Sequence, residues 1–300
     1  MSEILVVGSV GYDSISTPSG HKDGIIGGSA NYFSLGASKY SKVNVVGVVG
    51  DDYKDADKEL LTSRGIDLKG LQQMPGETFK WSGKYENDMN EAITLETHLN
   101  VFEKFNPIIP ESYRDSKYVF LANIDPVLQK EVLTQVNNPK LTGLDTMNFW
   151  IQSKKEDLVS MIKSVDVLLI NEGEARELTG KYNGIAAIKD LLALGPKAVV
   201  MKRGEYGFVL YCENKYFILP AFPIDNVVDP TGAGDTFAGG FFGYLSKIDD
   251  ELGFEHYKQA CVHGCLLASF TVQDFGIQPL LDLSWTDLEK RQSEYRSVIQ

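Results

Sequence analysis

The sequence lacks most of what would mark a secreted, metal-caged or nucleic-acid-binding protein. It has three cysteines in 300 residues, Cys212, Cys261 and Cys265. So few, and an odd number, exclude a disulfide framework and point to reduced thiols in the cytoplasm. Cys261 and Cys265 stand one helical turn apart with His263 between them, a pattern expected to serve helix packing rather than a metal. Cations are also scarce. The 29 Lys plus Arg stand against 41 Asp plus Glu, a formal net charge of -12. Nucleic acid as a bulk partner needs a basic face, and this composition offers none. A local cationic pocket for a small phosphate remains allowed. No apolar run reaches the about 18 residues that a membrane span requires. The opening Met-Ser-Glu-Ile-Leu-Val-Val-Gly has no charged segment followed by a long apolar one, so no secretory leader is expected. Repeats, low-complexity tracts and Ser/Pro-rich linkers are missing too, so residues 1–300 are expected to form a single domain.

What is present is an ordinary globular composition, 43% hydrophobic and 23% charged, on a chain long enough to bury a large core. Short apolar runs at 4–10, 43–49, 118–122, 141–144, 165–170, 198–202 and 208–211 alternate with helical patterns. Those patterns cover 29–40, 55–64, 126–137, 154–163, 172–179 and 184–194. Strands buried on both faces and separated by helices predict an α/β fold with a mainly parallel sheet. Residues 78–102 break this rhythm. Trp81, Gly83 and Tyr85 alternate, as do Ile93, Leu95, Thr97 and Leu99, around the polar turn Asn87-Asp88-Met89-Asn90. This spacing predicts an inserted β-hairpin, serving as a lid or a dimer surface.

The most informative string is Asp229-Pro-Thr-Gly-Ala-Gly-Asp235, followed by Thr-Phe-Ala-Gly-Gly-Phe-Phe. Residues 216–228 upstream are apolar and β-branched, which predicts a strand, a tight glycine turn and a helix start. Such a turn aims backbone N–H groups at one point, where the helix adds roughly half a positive charge. It is an anion site. Small residues let a phosphate approach the backbone, and Asp235 at the lip can accept a proton from an attacking hydroxyl. An N-cap alone would explain the aspartate but not the small residues before it.

This string resembles the C-terminal signature of the PfkB, or ribokinase-like, family, whose members transfer phosphate from ATP to a hydroxyl of a sugar or nucleoside. The resemblance implies a ribokinase-like three-layer α/β/α core with a small β lid from about 12–25 and 78–102. It also implies Asp235 as base, with Gly232, Ala233 and Gly234 lining the anion hole. Gly27-Gly28-Ser29-Ala30-Asn31 resembles the family's di-glycine substrate motif, with Gly27, Gly28 and Asn31 at the acceptor. Asp13 matches the aspartate that grips paired hydroxyls. Asn171 and Glu174 have the Asn-x-x-Glu spacing used near Mg²⁺ and the ATP phosphates. Lys202-Arg-Gly204-Glu-Tyr-Gly207 resembles the turn that contacts ATP, and His263 falls where the family places residues near the adenine. Asp229 and Gly276 head two loops that in related kinases hold a monovalent cation such as K⁺.

Two other nucleotide folds are excluded by spacing. Gly8-Ser-Val-Gly11 lacks the Gly-x-Gly-x-x-Gly dinucleotide fingerprint, and no Gly-x-x-x-x-Gly-Lys-Ser/Thr loop exists. The expected activity is therefore ATP- and Mg²⁺-dependent phosphorylation of a hydroxyl, of the primary type, on a sugar or sugar derivative. A nucleoside acceptor and, in third place, a non-catalytic ligand-binding protein on the same fold are the alternatives. A homodimer through the lid is a further expectation.

Overall fold

The computed structural model describes residues 3–86 and 89–299. The first part of the chain forms β1 (Ile4–Val7), β2 (Gly11–Thr17), β3 (Gly20–Gly27), α1 (Ser29–Ser38), β4 (Val43–Val49), α2 (Asp55–Thr62) and β5 (Ile66–Gln73). There follow β6 (Phe79–Tyr85), β7 (Ala92–His98), β8 (Tyr118–Leu121), α3 (Pro126–Gln135), β9 (Leu141–Leu144), α4 (Asn148–Ser153) and α5 (Lys155–Ile162). Next come β10 (Val167–Asn171), α6 (Glu172–Thr179), α7 (Gly184–Ala193), β11 (Ala198–Lys202), β12 (Phe208–Cys212) and β13 (Lys215–Leu219). The chain ends in α8 (Ala233–Leu245), α9 (Phe254–Thr271), α10 (Gln278–Asp282) and α11 (Trp285–Ile299).

Nine strands form the central sheet, in the order β13-β12-β11-β10-β9-β8-β1-β4-β5. From β11 to β5 every neighbouring pair is parallel, while β12 and β13 add antiparallel at one edge. Alternation along each strand splits the core. Ile4 and Val6 pack with α1, α8 and α9 on one face, and Leu5 and Val7 pack with α3, α5, α6 and α7 on the other. Both faces of the parallel strands are buried, which is why those runs are continuously apolar. Helix starts follow local chemistry. Asp125 caps α3 ahead of Pro126, Asn183 caps α7, and Asn171 with Glu174 forms a capping box on α6.

A second sheet, ordered β3-β2-β6-β7, rises from the carboxyl end of β1 and from the segment after β5. Two expectations are corrected. The segment 216–228 is not one strand: β13 stops at Leu219, and an irregular stretch containing Pro220, Pro223 and Pro230 leads to α8, because proline cannot donate to a ladder. Residues 66–73, unassigned from the sequence, form the edge strand β5, whose outward face is polar. Of the expected hairpin turn, Asn87 and Asp88 lie outside the described residues.

Candidate active site

The carboxyl ends of β1, β9, β10 and β11 meet the start of α8, and the candidate site residues gather there. Gly232 precedes α8 with φ 74°, in the left-handed region. Any side chain at this position would be strained and would overlap the ring of Tyr32 on α1. The glycine turn is therefore seated on α1 by contact with Tyr32. Gly234 and Asp235 lie in the first turn, where N–H groups have no intrahelical partner. The N–H of Ala233, in contrast, donates back to Pro230 O at 3.2 Å. It adds less to an anion hole than the sequence implied.

The expected acceptor side centres on Asp13, buried near the start of β2. Gly27 lies beside it, and a Cβ on Gly27 would overlap the Asp13 carboxyl, so the strand pair needs glycine there. Burial, then the charges of Asp229 and Asp235, push the Asp13 carboxyl up to about 8. Ser9 and Ser29 lock the di-glycine turn in place through reciprocal bonds to each other's backbone N–H, at 3.2 and 3.0 Å. Asn31 donates its amide to Gly27 O at 2.7 Å. Its Oδ1, fully buried, has no hydrogen-bond partner among the described residues, and neither has the hydroxyl of Tyr32. Buried polar atoms left without partners mark places where a polar ligand can satisfy them.

The donor side is differently made. Glu174 N–H donates to Asn171 Oδ1 at 2.7 Å, and Asn171 N–H donates to Glu174 Oε2 at 2.9 Å. The two residues thus cap α6 as well as facing the site. Burial and the Asp145 charge hold the Glu174 carboxyl well above the usual range. Lys202, at the end of β11, donates Nζ to Asp145 Oδ2 at 2.8 Å. Burial alone would lower the Lys202 ammonium, but the Asp145 and Glu174 charges outweigh it and raise it. Asp145 carries no motif that the sequence reading used. Its signal was position, immediately after the apolar run 141–144. Asp235 is pushed up to about 7 by burial and by Asp145, with Lys202 opposing.

No group of three or more His, Cys, Asp or Glu side chains converges as a metal cage among the described residues. A carboxylate and an amide oxygen beside a lysine and a helix start suit Mg²⁺, which keeps most of its waters and is shared with phosphates. Asn171 and Glu174 would hold it, and it would neutralise charge on the ATP phosphates.

The small sheet closes over this site. Asp13 pairs with Trp81, so the two side chains share one face of the sheet. Tyr85 lies on that same face of β6, and its hydroxyl accepts from Thr231 Oγ1 at 3.3 Å. The Trp81 indole lies along the strand over Gly83, where a Cβ would overlap it, and Nε1 donates to Thr94 Oγ1 at 3.2 Å. Ile93 does not join this cover. It pairs with Lys84 and points the other way.

Asp229 accepts from Thr231 N–H at 2.9 Å and from Gly276 N–H at 3.1 Å, tying the two loops together. Gly204 and Gly207 form the turn after β11, as expected. His263, on α9, stacks on Tyr244 of α8, and its Nδ1 bonds the Tyr40 hydroxyl at 2.9 Å. Tyr244 lies nine residues beyond Asp235, about 13 Å along α8. Burial, with Lys247 and Arg296 nearby, lowers the His263 imidazole to about 4.

The class that this geometry defines is a kinase acting on a hydroxyl group. Comparison with known proteins agrees. A family model described as pfkB family carbohydrate kinase matches residues 1–283. The chain is 32% identical to a cytidine kinase of Thermococcus kodakarensis over 82% of its length and 90% of the relative's. Among solved structures, the nucleoside kinase of Methanocaldococcus jannaschii has a TM-score of 0.79 and 24% identity, covering 98% of this chain and 99% of that one. A protein described as a ribokinase II from E.coli, solved with ATP and Mg²⁺, has a TM-score of 0.80 and 19% identity, covering 98% and 100%. These two structures show the shared fold. The chain belongs to the PfkB family of carbohydrate kinases, and it is an ATP-binding sugar or nucleoside kinase.

Proposed function

We propose that the acceptor is a nucleoside carrying a primary hydroxyl, phosphorylated by Mg²⁺·ATP, with the whole chain acting as one catalytic unit under the β lid. The observation that carries this is the Trp81 indole, laid flat over Gly83 on the same face as Asp13 and Tyr85. Asp13 would take the paired ribose hydroxyls, and the indole would offer a stacking surface to the base. A base stacks on such a surface over its whole face, where a free sugar offers only a few C–H groups. The names of the relatives, cytidine kinase and nucleoside kinase, point the same way.

In this reading Asp235 takes the proton from the attacking hydroxyl, and the Gly234 and Asp235 N–H groups meet the charge on the transferring phosphoryl group. Gly28 and Asn31 shape the acceptor turn. Asn171, Lys202, Gly204 and Gly207 face the nucleotide, and Glu174 faces its metal. The reading extends to a monovalent cation beside the loops of Asp229 and Gly276. Replacing K⁺ by Li⁺ in the assay is expected to lower turnover. It also places a second copy of the chain against β7, the edge strand whose Ile93 and Leu95 are exposed, and a cytoplasmic site of action, where buried free thiols persist.

The decisive measurement is ADP release across nucleosides and free sugars. Nucleosides are expected to exceed ribose and fructose in kcat/KM by at least about tenfold, the worth of one stacked base. Trp81→Ala is expected to erase that margin while leaving ribose turnover alone. Ribose matching the best nucleoside would return the reading to a sugar kinase.

A further inference from the structure

Asp145 is held more tightly than a loop residue needs to be. It follows β9, and its side chain is 6% exposed. Oδ1 accepts from Thr146 N–H at 2.9 Å, which leaves Oδ2 aimed at Lys202 Nζ. Lys202 Nζ in turn stands 3.0 Å from where a Cβ on Gly234 would lie. The ammonium is therefore directly over the glycine turn that opens α8.

We propose that Asp145 is a positioning residue, holding the Lys202 ammonium above the Gly234 turn so that a fixed cation meets the phosphoryl group in transfer. Stability alone does not account for the pair. A buried ion pair is often no better than well-packed apolar residues of the same volume. Precision of placement does account for it. A lysine stem is flexible and its ammonium is a point charge without a preferred geometry. A single buried carboxylate, itself pinned by a backbone N–H, removes that freedom before the substrate arrives. Lys202 has three donors, so it can keep Asp145 and still donate to phosphate oxygens. The inference rests on the 232–235 turn being the phosphate site.

The test is a double-mutant cycle with Asp145→Asn, Lys202→Met and both together, alongside Asp235→Asn as a control. The readouts are kcat, both KM values, and calorimetric affinities for Mg²⁺·ATP and Mg²⁺·ADP. Asp145→Asn is expected to lower kcat roughly 10- to 100-fold, the scale of a lost transition-state contact, with the acceptor KM within about twofold. Lys202→Met is expected to lower kcat at least as much and to weaken ATP binding more than ADP binding. The double variant is expected to be no worse than Lys202→Met alone. Should Asp145→Asn melt near the assay temperature, Asp145→Glu takes its place, keeping the charge but shifting the ammonium. Multiplying effects in the double variant would overturn the proposal, because Asp145 would then act on the metal or substrate directly. So would an Asp145→Asn enzyme with near-normal kcat, or equal weakening of ATP and ADP by Lys202→Met. Near-normal turnover by Asp235→Asn is a separate outcome. It would show that the base, and with it the transfer centre on which the proposal rests, lies elsewhere.

Discussion

The acceptor and donor halves of the site solve the same problem in opposite ways. On the proposed acceptor side, polar groups are buried with few partners: among the described residues the Asp13 carboxyl meets a backbone N–H of Gly28 but no cation, and Asn31 Oδ1 and the Tyr32 hydroxyl have no hydrogen bond. On the donor side, nearly every such group already has an internal partner. Asn171 and Glu174 cap one helix, Lys202 bonds Asp145, and Arg203 and Arg176 share Glu172. An open polar group favours a ligand that completes it, because leaving it empty costs free energy. A paired group gains less from a ligand contact, so its main contribution is fixed charge and geometry. The proposed acceptor side would thus serve recognition, and the proposed donor side electrostatic placement.

The largest expected effect lies where the two halves meet. Asp235→Asn should lower kcat roughly 10²- to 10⁴-fold with folding intact, the usual worth of a general base. Steady-state turnover with a circular dichroism melt checks it, and kcat within tenfold of wild type would show that the base lies elsewhere. The same residue predicts a pH limb. Asp235 must be deprotonated to accept a proton, and its carboxyl is raised to about 7. Plotted against pH, kcat/KM should therefore fall as pH drops through about 7, and should be roughly tenfold below its plateau at pH 6. A flat profile from pH 6 to 8 would contradict it.

Asp13 gives the sharper contrast, because there function and stability should part. Asp13→Asn should raise the acceptor KM by roughly 10- to 100-fold, the scale of losing hydrogen bonds to two hydroxyls, with the ATP KM unchanged. It should also make the ligand-free protein more heat-resistant at alkaline pH. The ordinary carboxyl value is 3.8, and the folded protein raises it to about 8. The folded state therefore favours the protonated form. Its contribution to stability is complete below about pH 4 and is lost as pH rises through 8. The melting advantage of Asp13→Asn over wild type should grow between pH 6 and 8.5. An advantage that shrinks with pH would mean that Asp13 has a cation partner after all.

Much of this was legible in the sequence, and what was not has a physical reason. Val43–Val49 and Leu141–Leu144 announce themselves because both faces are buried, so every residue is apolar. Asp235 could be singled out because small residues lead into it, while Asp13 and Asn31 stood out only through motifs that resemble a known family. Asp145 was not legible, because its partner Lys202 lies 57 residues away and only the sheet order makes β9, β10 and β11 neighbours. The stretch 216–228 misled, since its β-branched residues suit a strand while its prolines end one at Leu219. For His263 the sequence placed the helix but not the face. It sits on the expected helix, but on the face that turns toward Tyr40 and Tyr244.

The smallest expected effect tests whether the lid belongs to the acceptor half or bridges both. Tyr85 comes from β6, but its hydroxyl meets Thr231, whose N–H is held by Asp229 at the foot of the phosphate turn. If the lid served recognition alone, removing that hydroxyl would change only acceptor binding. Because the contact is to the turn, Tyr85→Phe should instead lower kcat about fivefold, the worth of one neutral hydrogen bond. Both KM values should stay within about twofold, since the ring and its packing remain. A change confined to the acceptor KM would assign Tyr85 to recognition and leave the two halves joined only through Asp235.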